Sequence, residues 1–98
     1  MGRFDTPKPL KDLLKDFIEE YPHRKRLKRG MVLSLWPRIV GNKINENTRN
    51  VEFEGDRLIV YVSNEVWRRE IHMRRHQLKK KLNDKVDEKI VKEIVVRT

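Results

Sequence analysis

Residues 58–62 read LIVYV, the most β-prone run in the chain, and a Gly55-Asp56 pair stands just ahead of it. Upstream of that pair, Val51 and Phe53 alternate with Glu52 and Glu54. Period-two alternation, a turn pair containing Gly and a second β-prone run together predict a β-hairpin. The hairpin lies inside a longer stretch, residues 35–67, which contains both tryptophans, Trp36 and Trp67. Segments dense in Lys and Arg lie on each side. The stretch is therefore expected to act as a spine that fixes the angle between two basic helices.

The remaining elements follow from spacing. Leu10, Leu13, Leu14, Phe17, Ile18 and Tyr21 recur at three- and four-residue steps, which predicts a first helix over residues 10–21. Pro22 ends it, because proline lacks the N–H and restricts the residue before it. A second helix is predicted from about His23. Its apolar set is Leu27, Met31, Leu35 and Ile39, widened by Val32, Trp36 and Val40, with a kink or restart expected at Pro37. Gly41 and Asn42 are stop signals, and one further helical turn is expected up to Asn47. Beyond the hairpin, Ser63 or Asn64 can cap a third long helix over residues 64–83, with Trp67, Ile71, Leu78 and Leu82 as its buried stripe. A polar loop over residues 85–89 leads to a final strand over residues 90–97. The order is helix, helix, strand, strand, helix, strand. Residues 1–8, punctuated by Gly2 and Pro7, are expected to be a flexible N-terminus ahead of one domain over 9–98.

Charge carries most of the functional signal. The net charge is +9, from 24 Lys and Arg against 15 Asp and Glu. It is segregated: residues 23–49 hold eight basic side chains and one acid, and residues 65–82 hold seven against two. Segregation of this kind favours a polyanionic partner. The second helix opens with Arg24, Lys25, Arg26, Lys28 and Arg29, the wrong sign for a helix N-terminus. Phosphate contact would give that costly arrangement a purpose. In the third helix Arg68, His72, Arg75 and Lys79 fall on one side, flanked by Arg69, Met73, His76 and Lys80. A continuous cationic face about three turns long, roughly 16 Å, is expected there. The candidate nucleic-acid contacts are Arg24, Lys25, Arg26, Lys28, Arg29, Arg68, Arg69, Arg75, Lys79 and Lys80.

Other chemistry is poorly supported. Without cysteine there is no disulfide and no thiolate metal site, which suits a reducing interior. His72 and His76 have the four-residue spacing that can hold zinc, but they lack the adjacent Glu and sit among cations. No metal and no cofactor is expected. Ser34 and Ser63 have no partners of a catalytic set, so no enzyme activity is expected. Trp36, Trp67 and Tyr61 could stack on bases, yet their spacing assigns them first to packing. No apolar run is long enough for a membrane span, and the N-terminus lacks the apolar core of a signal peptide, so the expected location is cytoplasmic.

The ordered set Trp36, Val40-Gly41, Thr48, Gly55, Ser63-Asn64 and Trp67 resembles the DciA family, bacterial proteins that assist the replicative helicase. The resemblance covers about residues 25–97. It implies an α+β domain similar to a K-homology fold, a three-stranded sheet with helices packed on one face. It also implies binding to single-stranded DNA and to the replicative helicase. Against that pattern the chain is expected to be a short member without the long extension of many members, and Asn47 stands where a His often precedes the Thr. It also lacks the GxxG backbone clamp of true K-homology domains. Two alternatives stay open beside a DNA-binding replication accessory. One is a protein-interaction adaptor without nucleic-acid binding; the other is an RNA-binding protein.

Overall fold

The computed structural model describes residues 23–98. The helix expected over residues 10–21 and the flexible start expected over residues 1–8 lie outside those residues.

Four-residue recurrence produces the first described helix, α1 (Arg24–Val40), but on a face one residue along from the expected one. The buried positions are Lys28, Val32 and Trp36. Leu27 is 38% exposed, and Met31 and Leu35 are only partly buried. A shift of one residue rotates a helix face by about 100°. Trp36, only 2% exposed, is the anchor of that choice, since its ring fills the space against the sheet and carries Val32 inward with it. Pro37 does not break the helix. The N–H it lacks would have served the carbonyl of Leu33, an exposed residue whose side of the helix water reaches. The helix ends at Gly41, whose φ of 88° lies in the region that favours glycine. The expected extra turn is present as α2 (Asn42–Glu46).

The hairpin forms as predicted from β1 (Thr48–Glu54) and β2 (Arg57–Val62). Glu54 pairs with Arg57 across a two-residue turn in which Gly55 has φ 65°. Arg49 is the extra residue of a bulge between Thr48 and Asn50. The third strand, β3 (Glu93–Arg97), runs parallel to β2, so the sheet order is β1-β2-β3 and the sheet is mixed. A central strand covered on both sides reads as a continuous apolar run. That is why Leu58, Ile59 and Val60 are all buried and LIVYV shows little alternation. Leu58, Val60 and Val62 face the helices, together with Val51, Phe53, Ile94 and Val96. Ile59 lies on the other face between Glu52 and Val95, where the Tyr61 hydroxyl donates to Glu52 at 3.1 Å.

A parallel pair needs a long crossover. Here it consists of α3 (Glu65–Met73) and α4 (Arg75–Val86), not of one helix. Asn64 caps α3, its side chain accepting from the Trp67 N–H at 3.1 Å. The break falls at Arg74 (φ −98°, ψ 5°), whose N–H donates back to Ile71 in a tighter turn. No proline or glycine marks this point in the sequence. Packing breaks the helix: α3 lies on β2 and β3, whereas α4 lies on α1 and β3. The expected stripe is otherwise present, with Ile71, Leu78 and Leu82 buried and Trp67 packed partly against the core. The continuous three-turn cationic face is therefore interrupted. The final strand is shorter than expected, although Ile90 and Val91 are buried ahead of it.

The architecture is α+β, a three-stranded mixed sheet with the described helices on one face, in the expected order. The residues that carry the family resemblance build this frame. Trp36 fills the core, and Gly41 and Gly55 make turns. The Thr48 hydroxyl donates to the Ile44 carbonyl at 2.7 Å, and Ser63 donates to Asn47 through both its N–H and its hydroxyl at 3.0 Å. Among the described residues no helix is long and apolar enough to cross a membrane.

Candidate nucleic-acid interface

The basic start of α1 has no acidic residue in its first turn and no side-chain cap. A cationic helix start is unfavourable, and here part of it is offset from a distance. Glu88, in the loop after α4, takes Lys28 at 3.1 Å and Arg24 at 3.2 Å. Lys28 is only 3% exposed, so this pair clamps the loop onto α1. Arg29 reaches the hairpin turn, where it pairs with Asp56 at 3.4 Å and lies 5.8 Å from the centre of the Phe53 ring. The segment's first described role is thus to hold two remote loops. Lys25 and Arg26 remain exposed, with no ion pair among the described residues.

The cations of the crossover are tied locally. Glu65 accepts from Arg68 at 2.7 Å and 2.6 Å and also pairs with Arg69 at 3.4 Å. Hydrogen bonding from Arg68 is the main cause that holds the Glu65 carboxyl at about 2, and the same contact raises Arg68. Arg75 donates to the His72 carbonyl at 2.8 Å, so it serves the end of α3. Lys80 pairs with Asp84 at 3.0 Å, with both side chains well exposed. Lys79 makes no ion pair among the described residues. His72 and His76 fall on different helices, either side of the break. Among the described residues no group of three or more His, Asp or Glu side chains could hold a metal ion.

The fold brings one half of the expected set to the other by way of a loop. A cleft of about 250 Å³ is lined by Lys25, Arg29, Asp56, Glu88, Lys89 and Lys92. A second, of about 360 Å³, is lined by Lys79, Lys80, Asn83, Asp84, Lys89 and Lys92. Lys89 and Lys92 belong to both, so they join the start of α1 to the exposed side of α4. Both are exposed and make no ion pair among the described residues. Neither belongs to the candidate set, because Lys89 falls in the polar connection expected over residues 85–89 and Lys92 in the strand expected over residues 90–97. The signal that could have found them is the spacing Lys85, Lys89, Lys92 just before the last strand.

The same loop is held rigidly at its far end. The Asn83 side chain donates to the Val91 carbonyl and accepts from the Val91 N–H, both at 2.9 Å. The Lys92 N–H donates to the Asp56 carbonyl at 2.9 Å. Of the expected contacts, Lys25, Arg29, Lys79 and Lys80 line these clefts. Arg26 lines a separate groove on α1, and Arg68, Arg69 and Arg75 line none of the three. Trp36 is buried and has no base-stacking surface, whereas Tyr61 is partly exposed on the sheet face away from the described helices.

The model of the family described as Dna[CI] antecedent, DciA, matches residues 9–96, nearly the whole chain. A comparison with curated proteins returns no match.

Proposed function

The chain belongs to the DciA family, and from that premise we propose that it binds single-stranded DNA across the joined clefts while contacting the replicative helicase. Membership implies a helicase-loader role in bacterial replication. The observation that supports the DNA reading is the sharing of Lys89 and Lys92 between two cationic clefts. Lysines that make no internal pair can meet phosphate without first losing a partner. A row of point charges follows a flexible backbone without demanding a base sequence. Lys25, Lys79, Lys89 and Lys92 are the contacts favoured by geometry, with Arg29 and Lys80 beside them. The protein acts in the cytoplasm, where both partners are found.

The test is a titration of a labelled deoxythymidine oligomer at several salt concentrations. With about four or five phosphates engaged, the slope of log K against log salt is about −3. Binding that ignores salt, or that is absent at low salt, overturns the reading. The adaptor alternative has its own support, since Arg24, Lys28, Arg29, Arg68, Arg69 and Lys80 already have carboxylate partners within the fold. Capture of purified helicase after nuclease treatment, without measurable DNA affinity, selects it. Competition between matched DNA and RNA oligomers separates the RNA-binding reading, because only the 2′-hydroxyl differs in the backbone.

A further inference from the structure

The mixed sheet has two outer edges, and the fold treats them differently. The edge at β1 is blunted by the bulge at Arg49 and by the exposed acids Glu52 and Glu54. The edge at β3 has neither proline nor bulge, and among the described residues β3 pairs with β2 alone. Alternate backbone N–H and C=O groups along β3 therefore point outwards, away from β2. Its side chains run Glu93, Ile94, Val95, Val96, Arg97, with an acid at one end, a base at the other and an apolar centre. Ile94 and Val96 are buried on the helix side, Val95 is half-buried beside Ile59, and Glu93 and Arg97 are exposed. Neither of these two charges makes an ion pair among the described residues.

We propose that the outer edge of β3 pairs with β3 of a second copy of this chain, antiparallel, so that two sheets join into one of six strands. Charge selects this occupant. A two-fold axis at Val95 sets Glu93 opposite the partner's Arg97 and Arg97 opposite the partner's Glu93. The same axis sets Ile94 opposite the partner's Val96, and Val95 opposite the partner's Val95. Parallel pairing would instead set acid against acid and base against base. A slip of one or two residues in either direction loses both ion pairs, and a slip of one also turns the apolar face of each strand against the polar face of the other. On the sheet face away from the described helices, Ile59 and Val95 meet the partner's Val95 and the partner's Ile59, so one apolar row crosses the interface. The proposal is independent of DNA binding.

The two-fold symmetry supplies the test. Each copy carries a net charge of +9, so the full chain is measured at physiological ionic strength, where that repulsion is screened. Sedimentation velocity should then show a monomer–dimer equilibrium. Glu93→Arg and Arg97→Glu are single changes at exposed positions, and circular dichroism should show both variants folded. A dimer of the first variant would set base against base at both ends, and a dimer of the second acid against acid. The dissociation constant of each variant alone should rise at least about tenfold. An equimolar mixture of the two should regain the affinity of the parent, because every pair across the mixed interface is again of opposite sign. A parent that stays monomeric at its highest soluble concentration overturns the proposal and leaves the edge to a foreign strand. Variants that each dimerise as tightly as the parent, or a mixture that stays monomeric, overturn it as well. If one variant fails to fold, the dissociation constant of the other still decides.

Discussion

The start of α1 and the segment from α4 to β3 are both rich in cations, but the fold uses them differently. At the start of α1 five basic residues fall within six positions, and three of them are committed to carboxylates that arrive from Glu88 and Asp56. Between residues 79 and 92 the cations are more widely spaced, and Lys79, Lys89 and Lys92 keep no internal partner among the described residues. Density of charge along the chain is therefore a poor measure of charge offered to a ligand. What decides is whether the fold delivers an acid to the same place. Remote carboxylates turn part of the first cluster into a clamp and leave the sparser one open.

The largest effect should come from breaking the clamp. Glu88→Ala leaves Lys28 buried and unpaired, which costs about 3 kcal/mol, near the low end for a broken buried pair because Glu88 keeps contact with water. Urea unfolding measures it. Lys28→Met with Glu88→Leu should restore most of the loss, since well-packed apolar groups can replace a buried pair. If Glu88→Ala leaves the midpoint unchanged, the start of α1 is not a clamp and the contrast between the two regions fails.

Asn83→Ala comes next. It removes both hydrogen bonds to Val91 and leaves buried backbone groups unpaired, at a cost of about 2 kcal/mol. It should also weaken DNA binding although Asn83 carries no charge, because Lys89 and Lys92 lose their fixed position. Thermal unfolding and the DNA titration read the two consequences separately. An unchanged DNA affinity in a folded Asn83→Ala protein would show that the loop does not organise the surface.

These two residues also show what the sequence makes legible. The hairpin with its Gly55 turn, the element order and the caps at Gly41 and Asn64 follow from local chemistry, so they can be read directly. The α1 face could not be phased in this way, because Leu27, Met31 and Leu35 are as apolar as Val32 and Trp36. Only the sheet and Glu88 select between the two faces, and both come from later in the chain. The break at Arg74 has the same origin, since two packing partners impose it on a segment with no breaker residue. The site was half legible. Charge runs pointed to the regions around Lys25 and Lys79, but the lysines that connect them stand alone in sequence and become a group only once β3 is laid beside β2.

A milder change tests the open region itself. Lys89→Ala with Lys92→Ala should leave stability within about 0.5 kcal/mol of the parent, as expected for exposed surface positions. If each lysine meets one phosphate, the salt dependence of single-strand binding becomes shallower by about 1.4. Lys28→Met with Glu88→Leu, by contrast, should leave that slope unchanged. The reverse result would place the ligand on the clamp.

The smallest expected effect lies at Glu65, which pairs with both Arg68 and Arg69. Its carboxyl sits at about 2, below the ordinary value of 4.5, so the pair contributes stability that is present above pH 4.5 and is lost as pH falls towards 2. Glu65→Gln removes that dependence. The stability curves of parent and variant should therefore differ by a small constant at neutral pH and converge as the parent carboxyl protonates. The side chain is solvent-exposed, where ion pairs contribute little. The same substitution frees two guanidinium groups, and the DNA salt slope should steepen by less than about 0.7, the contribution of one single-strand phosphate. A larger increase would mean that α3 lies on the DNA path after all, and that its acid is the restraint that keeps it off.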